Sequence, residues 1–429
     1  MSFNEWREVK LGEVSKVLSG YAFKSKDFCE SGIPVVKIKN IVPPNVQIND
    51  VQFVSTELAK EKSKYLLGYN DVLISMTGSN VNQFSSAVGK VGRVRIHKPM
   101  LINQRVGKFE IIDLDSYNLD FLYYLISTDE MHYKLALNAS GAANQANISP
   151  SIIEDIVLPC PPIEEQKAIA ATLSCFDDKI ELINRMNKNL EDMAQAIFKS
   201  WFVDFELFQD GEFENSEVGM IPKGWRVGRL EEVLSEIEAG NRPKGGAGNL
   251  EYGIPSIGAE NILGLGKYDF SKEKFVPEGY FKSMNRGIVK NWDVLLYKDG
   301  AQLGRKTMFA RNFPHEKCCI NSHVFILRSN ELVNQPYLYF WLDQDYMTQN
   351  IVNLNTNSAQ PGINQPAVKT LKILIPDKNT VDRFQHIIEK ILVLIFENCK
   401  ESRKLTILRD TLLPKLMSGE IQVPLEEVQ

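Results

Sequence analysis

The side chains best placed to do chemistry in this 429-residue sequence are recognition groups. Lys37, Lys39 and Asn40 end a Val/Ile-rich run, and Thr77 lies in a Thr-Gly step after another. Lys90, Arg93, Arg95, His97 and Lys98 make an alternating basic run, and Gln104 is followed by Arg105. Arg242, Lys244, Asn261, Lys298, Arg305, Lys306 and His323 form a second set further along. Arginine pairs with guanine edges, Asn and Gln with adenine edges, and lysine mostly fixes phosphates. Any one of these residues reads first as a solvated surface charge. What gives them weight is recurrence, because the two sets occupy matching places in a repeated chain.

Reactive constellations are not found. There is no G-x-x-x-x-G-K-[ST] phosphate loop and no G-x-S-x-G nucleophile elbow. An amino-methyltransferase needs an N-P-P-[YF]-like turn to hold a flipped base; Val42-Pro43-Pro44-Asn45 is the nearest string and lacks both flanking residues. Pro376-Asp377 could open a nuclease motif, but no E-x-K follows at a useful distance. The five histidines are scattered. The six cysteines show no C-x-x-C spacing, so buried free thiols are expected, with no metal site and no disulfide framework. The N-terminus has no apolar h-region and no run of 18 apolar residues occurs, so a soluble, cytoplasmic protein is expected.

The elements that must position the recognition groups are written twice. Trp6-Arg7-Glu8-Val9 returns as Trp225-Arg226-Val227-Gly228, Gly20 as Gly240, and Ile33-Pro34-Val35-Val36 as Ile254-Pro255-Ser256-Ile257. Asp71-Val72-Leu73-Ile74, followed by Thr77-Gly78, matches Asp293-Val294-Leu295-Leu296, followed by Asp299-Gly300. Ile102-Asn103-Gln104-Arg105-Val106 matches Ile320-Asn321-Ser322-His323-Val324. The offset stays between about 215 and 222 residues, as one duplication requires. Lys37/Lys39 face Gly258/Glu260 across the repeat, and Arg105 faces His323. A duplicated reader with different side chains would read two different half-sites.

Within a copy, the runs 33–38, 71–75 and 91–96 read as strands, and 118–137 and 335–347 carry helical spacing. Residues 139–149 and 355–365 are Asn/Gln/Ser/Gly-rich loops. Each copy then enters a rod. In the first, Ile169, Leu173, Phe176, Ile180, Ile183, Leu190, Ala194, Ile197 and Trp201 step by heptads, with Asn187 on the seam. About 38 residues give roughly 57 Å of helix. In the second, Phe384, Ile388, Ile391, Ile395, Leu405, Leu408 and Leu412 follow similar spacing, with Asn398 and Ser402 on the stripe. The rods could pair, with Asn187 and Asn398 fixing register, or belong to separate bundles. The net charge of −5 is uneven. Residues 161–221 carry 5 basic against 13 acidic side chains, and 222–376 carry 19 against 15. Neutral-to-basic domains on an acidic spacer suit a DNA reader.

Four strings carry a family resemblance. Leu158-Pro159-Cys160-Pro161-Pro162-Ile163-Glu164-Glu165-Gln166-Lys167 opens the first rod, and Phe198-Lys199-Ser200-Trp201-Phe202-Val203-Asp204-Phe205 closes it. Gly219-Met220-Ile221-Pro222-Lys223-Gly224-Trp225 opens the second half, and Leu412-Leu413-Pro414-Lys415-Leu416-Met417-Ser418-Gly419-Glu420-Ile421 closes the second rod. Together they resemble the specificity subunit of type I restriction–modification systems over essentially the full length. Asp377 departs from the pattern, standing where a second proline run is usual.

The resemblance implies an α+β protein with two similar target-recognition domains, 1–160 and 223–376. Long spacer helices at 161–202 and 377–418 would form an antiparallel coiled coil, with a linker at 203–222, a tail at 419–429 and an internal pseudo-two-fold repeat. It implies a non-catalytic subunit that binds double-stranded DNA, one domain per half-site of a split target. Two methyltransferase subunits would sit on the spacer, binding S-adenosylmethionine and methylating an adenine in each half-site. Restriction/translocation subunits, using ATP and Mg, would join for cleavage. This chain would bind no cofactor. The competing expectations are a self-sufficient DNA-modifying enzyme with divergent motifs and a structural adaptor that binds protein.

Overall fold

The computed structural model describes residues 6–79, 82, 88–142, 145–243, 250–355 and 361–424. The chain divides into two compact units, residues 1–178 with 406–429, and 179–405. The long helices, Ile163–Phe202 and Lys378–Met417, are therefore not separate bodies, because each unit holds one part of each helix.

In the first unit a six-stranded sheet runs in the order Ser15–Ser19, Val106–Ile111, Val72–Ser75, Val91–Arg93, Asn45–Val46, Ile41–Val42. A five-stranded sheet is centred on Ile33–Val36 and Met100–Ile102, which pair in parallel. The second unit repeats the scheme in shorter form. Its four-stranded sheet runs Leu234–Ala239, Val324–Ser329, Val294–Tyr297, Lys306–Met308, and Ile254–Ile257 pairs in parallel with Cys319–Ile320. Both copies are closed at the base by the same clasp: Arg7–Lys10 against Val157–Cys160, and Arg226–Arg229 against Lys372–Ile375. The central strands show why short apolar runs mark them. Val72, Leu73, Ile74 and Val294, Leu295, Leu296 are wholly buried, so neither face tolerates a polar residue.

The helical stretches after the sheets are broken where one continuous helix was expected. In the first unit Leu119–Ile126 stops and Asp129–Leu137 restarts, because Thr128 leaves helical geometry and its hydroxyl accepts from the Met131 amide. In the second unit Gln335–Leu342 and Asp345–Asn353 are also separate, Gln344 being extended but giving no side-chain cap. There the buried Lys306 ammonium donates to the Leu342 carbonyl at 2.8 Å, satisfying an orphan helix end.

Within each unit the long helices lie side by side and antiparallel. In the second unit Lys179 meets Glu401, Asn187 meets Asn398, and Phe202 packs edge-on against Phe384, so numbers rise on one helix as they fall on the other. The Asn398 amide donates to Asn187 Oδ1 at 2.8 Å, a polar layer in an otherwise apolar seam. In the first unit Arg409 pairs with Asp177 at 2.7 Å, while Ile169, Leu173, Leu416 and Met417 share one core. The expected seam slips here. Leu408 is half exposed and Arg409 takes the inward place, because Asp177 and the Tyr124 hydroxyl make a polar pocket for it. Residues 203–222 are not a bare linker either. Phe213–Ser216 and Gly219–Pro222 form a hairpin, and Phe205 and Phe208 pack on Trp225. Asp377 begins the second long helix as its cap, accepting from the Thr380 amide and from Trp225 Nε1. Burial pushes its carboxyl up, but the bonds from the Thr380 hydroxyl and amide and from Trp225 together outweigh it and hold it below the ordinary value.

Candidate nucleic-acid interface

In the first unit the structure brings Thr77 and Arg105 together. Arg105 precedes the strand Val106–Ile111, whose first residue pairs with Ser75, and this sets its side chain beside Thr77. Thr77 in turn pairs across a short ladder with Asn147. Arg105 NH1 donates to Thr77 Oγ1 at 3.0 Å and to Asn147 Oδ1 at 2.6 Å, and Thr77 Oγ1 donates to the same amide oxygen at 2.8 Å. An exposed guanidinium is thus fixed by groups from two other segments. Lys37 and Lys39 lie at the end of Ile33–Val36. The Lys37 ammonium lies 4.5 Å from the Phe28 ring centre and bonds Gln52, and Lys39 pairs with Asp50 in solvent. Burial and the neighbouring Lys39 charge both depress the Lys37 pKa. Lys90 is half-buried, its amide donating to Ser75 Oγ.

The second unit builds the corresponding place from the same strand ends. Val324 pairs with Tyr297, so His323 stands where Arg105 does, beside Asp299. Asp299 makes a bridge with Gly362, as Thr77 does with Asn147. His323 Nδ1 contacts Asp299, its Nε2 contacts the exposed Arg242, and Lys298 donates to the other Asp299 oxygen at 3.0 Å. With a carboxylate on Nδ1, the proton belongs on that nitrogen, and Nε2 is left to accept from Arg242. Arg305 is exposed nearby, its carbonyl accepting from the Tyr297 amide. Glu260, opposite Lys39 in the repeat, pairs with Lys274 at 2.6 Å.

Four expected contact residues are buried and serve the fold. Arg93 is 2% exposed, stacked 3.9 Å over the Tyr123 ring and paired with Asp120 at 3.2 Å. Lys306 holds a helix end as described, next to Asp343. Asn40 and Asn261 perform one structural task in both copies, their Oδ1 atoms accepting from the amides of Lys37 and Gly258. Nor is the basic run a strand edge beyond Arg93. Arg95 pairs with Asp178 and His97 stacks on Tyr69. Lys244 lies outside the described residues. Val42-Pro43-Pro44-Asn45 is a turn between two short strands; the Pro44 carbonyl accepts from the Arg93 amide and the Tyr123 hydroxyl.

Asn147 and Asp299 were missed in the sequence. Asn147 falls in an amide-rich loop that was visible, and Asp299 aligns with Thr77 in the repeat. Among the described residues no group of three or more His, Cys, Asp or Glu is arranged to hold a metal ion, and no helix is long and apolar enough to cross a membrane.

The comparisons with known proteins fall on both copies. The type I restriction modification DNA specificity domain matches residues 4–192 and 222–408. The type I restriction enzyme MjaIX specificity subunit of Methanocaldococcus jannaschii is 27% identical over 427 residues, covering 98% of this chain and 94% of the relative. The MjaVIII specificity subunit of the same organism is 24% identical over 436 residues, covering 98% and 93%. The crystal structure of the type I restriction-modification system S subunit from M. genitalium shares the fold, with a TM-score of 0.59 at 18% identity over 97% of each chain. With the domain matched at both ends of a duplicated chain, the protein belongs to the type I restriction modification DNA specificity family.

Proposed function

We propose that this chain is the sequence-reading subunit of a type I restriction–modification complex, working on double-stranded DNA in the cytoplasm. Each unit reads one half of a split target, and the paired long helices set the gap and seat two methyltransferase subunits. Base flipping and methyl transfer take place in those partners, which bring S-adenosylmethionine. Restriction subunits bring ATP and Mg for cleavage. This chain supplies position and sequence choice without catalysis of its own.

One observation carries the reading. The same strand ends recur in both copies, yet they carry Arg105, Thr77 and Asn147 in one and His323, Asp299 and Arg242 in the other. A shared scaffold whose polar side chains differ between the copies is what two different half-sites require.

The test is single-molecule sequencing of adenine methylation after co-expression with the cognate methyltransferase subunit. Two short, unequal half-sites around a fixed gap are expected. A continuous motif, or methylation indifferent to deletion of this chain, would refute the proposal. So would modification by the purified chain alone.

A further inference from the structure

Resting on that reading, we infer that Arg105 and Arg242 are the guanine readers of the two half-sites, and that Asn147 with Thr77, and His323 with Asp299, are their positioning residues. Base readout by arginine needs a guanidinium held in one plane, because two parallel N–H groups must meet O6 and N7 of guanine together. A phosphate can be met in the same bidentate way, but it also accepts from a single mobile N–H, so fixing the side chain is not required there. Among the described residues the exposed arginines and lysines of the two clusters separate on this criterion. Arg105 has one terminal nitrogen anchored by two acceptors from different segments. Its other terminal nitrogen and Nε form the edge that remains for a base. Arg242 is anchored through one terminal nitrogen to His323 Nε2. That imidazole is oriented by Asp299, which is held in turn by Lys298 and by the backbone bridge to Gly362. Lys298 is committed to Asp299, whereas Lys37 and Lys39 are point charges on flexible stems, suited to phosphates. No described side chain orients Arg305, which suits the same task.

The two copies reach this arrangement by different routes. In the first, the arginine stands directly before Val106. In the second, that place is taken by a histidine, and the arginine comes from the segment after Gly240, one side chain further out. Each half-site therefore contains a G·C pair read by an arginine, and the two pairs need not lie at the same distance from the gap.

The experiment uses the complex with its methyltransferase and reads the tolerated base at every position of the methylated motif. Arg105→Ala and Arg105→Lys should each relax one G·C position in one half-site, by roughly tenfold to a hundredfold in preference, and leave the other half-site intact. Arg242→Ala and Arg242→Lys should do the same in the other half-site. His323→Leu should relax the same base as Arg242→Ala, whereas His323→Gln, which retains an acceptor, should restore part of the preference. A merely structural role would instead lower methylation with the motif unchanged. Relaxation at an A·T pair, relaxation in the wrong half-site, or uniform weakening without relaxation would overturn the inference while leaving a split wild-type motif in place. Absence of a split motif in the wild type would overturn the underlying reading as well.

Discussion

Gly240→Ala is the sharpest single perturbation of the second unit. An added Cβ would lie 2.2 Å from the Ile320 carbonyl oxygen and 2.2 Å from that of Asn321. A carbon and a carbonyl oxygen settle at about 3.3 Å or more, so one backbone must retreat by about 1 Å. Neither can do so freely. The Asn321 amide is bonded to the Ile257 carbonyl at 2.9 Å, and Asn321 Oδ1 accepts from the His323 amide at 2.8 Å. Overpacking costs about 1–3 kcal/mol, and two backbone clashes with no side chain to swing aside place this case near about 3 kcal/mol. For a unit of this size that is a drop of about 6–12 °C in Tm. The same retreat displaces His323, so discrimination at the second half-site should fall while the first stays sharp. Gly20→Ala is the matched control: its Cβ would lie 2.4 Å from the Ile102 oxygen and 2.3 Å from that of Asn103, two residues before Arg105. It should weaken the first half-site alone. Thermal unfolding of each variant, followed by methylation sequencing of the assembled complex, measures both effects. If both variants melt within about 1 °C of wild type, the close approach does not constrain the fold and the reasoning fails.

Burial raises the Asp343 carboxyl to about 6, against the opposing pull of Lys306, so the folded chain holds this proton more tightly than the unfolded chain. Stability from this group therefore rises as pH falls from 7.5 toward 5; relative to Asp343→Asn the wild type should gain roughly 1.4 kcal/mol over that window in urea titrations, and an unchanged difference refutes the assignment. Arg93→Ala should cost about 2–3 kcal/mol through lost packing and ring contact, yet leave the methylated motif unaltered; a relaxed base would return Arg93 to the interface. Asn187→Leu alone should destabilise by about 1–3 kcal/mol because Asn398 loses its partner, and adding Asn398→Leu should recover stability. Calorimetry of the single and double variants checks this, and a double variant no more stable than the single one contradicts the polar-layer account.

The architecture was legible in the sequence because duplication doubles every signal. The parallel pairing of Ile33–Val36 with Met100–Ile102 has its twin in Ile254–Ile257 with Cys319–Ile320, and both heptad stripes fold as continuous helices. The site was legible only in part. Recurrence at equal positions reads as a mark of contact, yet Asn40 and Asn261 recur because both brace their own turn. Thr77 and Asp299, by contrast, stand at equal positions with different side chains and different partners. Arg93 and Lys306 could not be placed from sequence, since the ring and the helix end that accept them are distant in the chain. Leu408 failed for a related reason: heptad counting does not reveal that Asp177 draws Arg409 inward.

The division of the chain into units has a consequence for how the protein is made. The second unit is contiguous, from Lys179 to Leu405, whereas the first is assembled from residues 1–178 and the final stretch from Thr406. Leu416 and Met417 belong to its core, Leu412 packs against it, and Gly419 lies against the Trp6 ring. During synthesis residues 1–178 thus wait with part of their core uncovered until the segment after Leu405 has emerged. A stop codon just after Leu405 would leave the second unit whole and take Leu416 and Met417 out of the core of the first, turning a two-word address into a single word.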